Sequence, residues 1–190
     1  MAIYSIGFTF LIANRLTSMN NTAQMIQSPH WVWLAVTVFI GILCLMFGYM
    51  GIYSKIFDKT KSIGLVGFIL IEIAYLLQAA KVTWEIFLYP VIMGNPISAF
   101  LLADGVLKHS GPVGIYKDIA SLTILIGISL FCWAITRSKQ FPKASGYLVF
   151  FGAVLYGISP MLNFYYGLSG IFIFAAGCFL LGKTLITGKR

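Results

Sequence analysis

Glu72, Gln78, Lys81 and Glu85 stand inside one apolar stretch, GFILIEIAYLLQAAKVTWEIFLYP, from Gly67 to Pro90. Ionisable groups inside a membrane helix are expensive, and they mark proton relays, ion paths or paired structural sites. Glu72 is the most demanding of the four. Counted from a helix start near Ile63, it lies roughly 14 Å along the axis, close to the centre of a bilayer about 30 Å thick. A charge there costs about 2.5–3.5 kcal/mol on insertion scales. A carboxylate at that depth suits proton exchange, ion binding or contact with a buried ligand. The structural alternative is a protonated Glu72 that hydrogen-bonds across helices and fixes the bundle.

Lys81 lies roughly 27 Å along the same helix, near the opposite boundary. Glu85 is one turn further, and Gln78 precedes Lys81 by three residues, so the three share a face. Lys81 is expected to snorkel outward and pair with Glu85; the functional alternative is a polar vestibule. Glu72 is nine residues from Lys81 and points to the other side of the helix. Tyr75 shares a face with Glu72, and Tyr156, Ser129 and Cys44 have compatible depths on other helices. Lys183 sits nearer the surface and could reach toward it. Asn163, with Ser159, Tyr165 and Tyr166, gathers at the end of the segment GISPMLNFYYG. That cluster reads as an interface belt and turn, or as one wall of an outer pocket. The candidate ligand or proton residues are therefore Glu72, Tyr75, Gln78, Lys81, Glu85, Tyr156 and Asn163.

The elements that must position these residues are membrane helices. The chain has 190 residues, of which 59% are hydrophobic and 9% charged. A soluble domain averages roughly 25% charged. The expected fold is all-α: a single integral membrane helical bundle over residues 1–190, six transmembrane helices preferred. Five spans are read at Trp31 to Tyr53, Ile63 to about Tyr89, about Ile115 to Thr136, Gly146 to about Leu162, and Gly167 to Ile186. Met1–Ala13 is apolar but short, and the count is five if it does not span. It has no basic start or small-residue cleavage site, so a removable signal peptide is not expected.

Nine of the thirteen basic residues lie on one side of this arrangement: Lys55, Lys59, Lys61, Arg137, Lys139, Lys143, Lys183, Lys189 and Arg190. The positive-inside rule makes that side cytoplasmic and the protein a multi-pass inner (plasma) membrane protein. The C-terminus is then cytoplasmic, and so is the N-terminus if six spans exist. The net charge of +8 flanks apolar runs and suits anionic lipid headgroups, with no stripe for nucleic acid.

Two outer segments are more polar, Leu16–His30 and Val91–Pro112. Pro90 and Pro96 discourage continuous helix in the second, and Ile97 to Leu107 could lie at the interface as a cap. TVFIGI from Thr37 matches TILIGI from Thr123 as a weak parallel repeat. Thr37/Gly41 and Ala153/Gly157 have small-residue spacing for close helix packing. Cys44, Cys132 and Cys178 read as packing residues. His30 and His109, with Asp104, have no spacing that defines a metal site, and no cofactor is expected. No nucleophile elbow, zinc-protease motif or phosphate loop is present.

SPHWVW, GLVGFILIEIAYLL, EIFLYPVI and FPKASGYLVFFGAVLYGISP together resemble small multi-helix bacterial inner-membrane proteins of unknown function. The resemblance covers most of the chain. It implies an inner-membrane bundle and carries over no reaction and no catalytic residue. The leading functional expectation is binding or translocation of a small or lipid-like molecule, proton-coupled through Glu72, in a pocket opening beneath the Val91–Pro112 cap. An accessory or assembly subunit of a larger membrane complex is the second reading. An intramembrane enzyme acting on a lipid or isoprenoid, with Glu72 or Glu85 as general acid or base, is the third. Expected partners are membrane lipids, a hydrophobic ligand, and a second copy or membrane subunit.

Overall fold

The structure, a computed structural model, describes residues 30–94, 111–158 and 164–188. These residues form four helices: α1 (Trp31–Gly94), α2 (Gly111–Ser138), α3 (Lys143–Ile158) and α4 (Phe164–Thr187). The all-α expectation holds for them.

The first helix is not straight. Lys61 has φ 46° and ψ −132°, outside the helical region, and the chain folds back there. Contacts across the fold fix the two arms as antiparallel neighbours. Trp31 Nε1 donates to the Glu85 carbonyl at 2.8 Å. Tyr49 stacks on Tyr75 and Tyr53 stacks on Phe68, with ring centroids 5.7 and 4.5 Å apart. The linker expected at Ser54–Ser62 is therefore mostly helix. No Gly or Pro interrupts residues 52–63, Ile56 is fully buried, and the Thr60 hydroxyl donates to the Ile56 carbonyl at 3.0 Å. The reversal is confined to Lys61, the one residue whose dihedrals leave the helix.

Pro90 does not end the helix either; α1 continues to Gly94. Proline removes one backbone donor, here the bond that residue 90 would make to residue 86. Four residues from a helix end that loss is tolerated, as it commonly is in membrane helices.

Three helices are long and apolar enough to cross a membrane: Trp31–Ile92, Gly114–Ser138 and Tyr165–Thr187. Lys143–Ile158 has 16 residues. At 1.5 Å per residue it rises about 24 Å, short of a hydrocarbon core of about 30 Å. The six-span count is not supported. Met1–Ala13 lies outside the described residues, as do residues 159–163, which were expected to complete the fifth span. Large apolar side chains face outward on every helix, including Trp33, Phe47, Phe87, Leu122, Phe151 and Phe179. This is the surface of a protein whose solvent is lipid.

Packing follows chain order. α2 lies antiparallel against the second arm of α1, and α4 antiparallel against α3. The contact between α2 and α3 is smaller, and α1 and α4 touch narrowly. Glycine makes the two main pairings close. A Cβ on Gly67 would come within 2.7 Å of the Phe131 nitrogen, and one on Gly127 within 2.8 Å of the Ile71 nitrogen. In the other pair, Gly152 meets the Phe174 nitrogen at 2.3 Å and Gly170 meets the Tyr156 nitrogen at 2.6 Å on the same test. These backbones approach as lipid-embedded helices do, where packing replaces the hydrophobic effect. The Ala153/Gly157 spacing picked the wrong phase of α3. Gly157 is exposed with nothing within 4 Å of its added Cβ, and Gly152 carries the contact.

Candidate functional site

The bundle has two chemically distinct ends. At the end holding Trp31 and Tyr116, Lys81 Nζ lies 3.4 Å from Glu85 Oε1. The pair expected from i, i+4 spacing is present. Tyr116 Oη donates to the Leu77 carbonyl, and Trp84 stacks obliquely on the Tyr116 ring at 5.1 Å. Gln78 is half-buried one turn before Lys81. Aromatic rings and main-chain bonds thus hold this end together.

Deeper along the arms of α1, Tyr53 Oη and Glu72 Oε1 are buried without a hydrogen-bond partner among the described residues, and the Tyr49 hydroxyl is buried against Tyr75. The sequence singled out Glu72 and missed the two tyrosines, because position alone does not tell which phenol loses its water. Glu72 shares a face with Phe68 and Tyr75, whose rings stack on Tyr53 and Tyr49. Among the described residues, the expected hydrogen bond from Glu72 to another helix is not made by Oε1. Tyr75 is buried beneath Tyr49. Ser129, which has a compatible depth, donates instead to the Leu125 carbonyl of its own helix at 2.7 Å. Tyr156 is exposed on α3, away from a buried centre. Asn163, His109 and Asp104 lie outside the described residues. Tyr165 and Tyr166 are exposed, as an interface belt requires. Among the described residues no group of three metal-ligating side chains occurs.

At the other end the narrow contact between α1 and α4 leaves a groove of about 510 Å³. Cys44, Gly48 and Ile52 form one wall at a spacing of four residues. Cys178, Gly182 and Ile186 form the other at the same spacing. The two helices run in the same direction here. Lys55 near the end of the first wall donates from Nζ to the Thr184 carbonyl at 3.2 Å, and an added Cβ at Gly51 would meet Leu185 Cδ1 at 3.8 Å. The groove surface is almost wholly apolar, with Lys183 midway along the α4 wall and Thr187 at its end supplying polarity. Gly182 lines it with nothing within 4 Å of an added Cβ. The sequence reading singled out Thr37/Gly41 and Ala153/Gly157 and passed over these spacings, and nothing local pairs the stretch at 44–52 with that at 178–186. The pocket expected beneath Val91–Pro112 belongs to the opposite end, and residues 95–110 lie outside the described residues.

No protein-family model, curated protein or solved structure matches this chain.

Proposed function

We propose that this is a membrane protein that binds, and in working carries, a lipid-like molecule held between α1 and α4. The observation that carries the reading is the apolar groove that Lys183 lines. A hydrophobic slot inside a lipid-facing surface suits a ligand that arrives from the bilayer, since the ligand exchanges one apolar environment for another without crossing water. The basic end, with Lys55, Lys59, Arg137, Lys139, Lys143 and Lys183, is assigned to the cytoplasmic face of a plasma membrane by the positive-inside rule.

The test is native mass spectrometry of the protein extracted gently from its membrane. A reproducible bound amphiphile, lost when Gly48→Leu or Gly182→Leu fills the groove, supports the reading. Equal retention by both filled variants removes it.

A second reading keeps Glu72 as a proton-exchanging group that couples binding to a pH gradient. Its support is the buried Oε1, which has no hydrogen-bond partner among the described residues. Glu72→Gln is expected to abolish the pH dependence of ligand exchange in reconstituted vesicles while expression stays unchanged. Persistence of that dependence in Glu72→Gln sinks the coupling and leaves the groove reading intact.

A further inference from the structure

We infer that the groove between α1 and α4 takes one acyl chain of an anionic phospholipid from the leaflet at the basic end, with Lys183 as the headgroup contact. This inference rests on the groove reading above and names its ligand class.

Length is the first argument. The lining residues run from Cys44 to Ile52 and from Cys178 to Thr187. At 1.5 Å per residue the longer wall spans about 14 Å. That is about half the hydrocarbon thickness of a bilayer, the depth of one leaflet. A chain lying along two parallel helices has the orientation that lipid tails already have. The walls carry Gly48 and Gly182 among apolar side chains, and an added Cβ at Gly182 meets nothing within 4 Å among the described residues.

Charge is the second argument. Lys183 is exposed at the groove, and Lys55 is fixed beside it by the bond to the Thr184 carbonyl and by its place over the Phe141 ring at 5.5 Å. Lys59, Lys61, Arg137, Lys139 and Lys143 lie at the same end of the bundle, against the single carboxylate of Asp58 among the described residues there. Such a field attracts a phosphate that carries net negative charge and gives no preference to a zwitterionic headgroup. Lys183 is the ammonium that lines the groove itself; it stands four residues before Thr187, and its long stem can carry the charge toward that end, where the phosphate of a lipid with a seated tail would lie.

The experiment uses the full chain in nanodiscs containing equal parts phosphatidylglycerol and phosphatidylcholine, followed by native mass spectrometry after release. The expected result is a one-to-one lipid adduct enriched in phosphatidylglycerol. Lys183→Gln retains the adduct and loses the enrichment. Gly182→Leu and Gly48→Leu, which fill the groove from opposite walls, lose the adduct. A wild-type adduct with no headgroup preference, or enrichment unchanged in Lys183→Gln, overturns the anionic assignment while the groove reading survives. An adduct retained in both filled variants overturns the groove reading itself. A lipid-free monomer, or a lipid-free dimer with a second copy in the groove, overturns both.

Discussion

Lys55 on α1 donates from Nζ to the main-chain carbonyl of Thr184 on α4 at 3.2 Å while lying 5.5 Å from the centroid of the Phe141 ring. One side chain thus joins the first helix, the turn between α2 and α3, and the last helix. Few other contacts join α1 to α4. Lys55→Met keeps the length of the stem and removes the donor. A hydrogen bond to a charged group contributes about 1.5–3 kcal/mol, and partial exposure places this one toward the lower value. The variant should unfold earlier in a detergent thermal melt, and cross-linking between residues on α1 and α4 should fall.

Gly152 faces the backbone of Phe174 across the α3–α4 contact. Gly152→Ala would place a Cβ within 2.3 Å of a main-chain nitrogen, which cannot rotate away. Overpacking of this kind costs about 1–3 kcal/mol. Gly157→Ala on the same helix meets open space and should change stability by under about 0.5 kcal/mol. Steric-trap or denaturant unfolding of the two variants side by side checks the contrast.

The reversal at Lys61 requires φ 46°, a conformation that costs non-glycine residues energy and β-branched residues most. Lys61→Gly should preserve or raise stability. Lys61→Val should lower it by about 1 kcal/mol or more. Equal melting temperatures for the two variants would contradict a fold-back centred on this residue.

Glu72 and the pair Lys81–Glu85 should respond differently to substitution. Oε1 of Glu72 has no hydrogen-bond partner among the described residues, so Glu72→Gln should leave the folded state in place. Glu85→Gln removes a partly exposed ion pair worth about 0–1 kcal/mol, with an effect that shrinks as salt is added. A collapse of expression in Glu72→Gln, measured by size-exclusion profile, would instead assign Glu72 to holding the bundle together.

Sequence by itself determined the helical class, the lipid-like outer surface, the gathering of basic residues near helix ends, and the Lys81–Glu85 pair. Each follows from composition or from spacing along one helix, where 3.6 residues per turn fixes what lies on a common face. Tertiary structure decided the rest. Whether residues 54–60 bridge or continue a helix depends on burial of Ile56, and whether Gly152 or Gly157 packs depends on the rotation of α3 against α4. The groove exists because α4 pairs closely with α3 and only narrowly with α1, joining Cys44 and Gly48 to Cys178 and Gly182 across more than a hundred residues of chain. No local pattern encodes that meeting, because in an apolar chain many helix faces are equally able to pack, and the close approach of backbones at particular glycines selects among them.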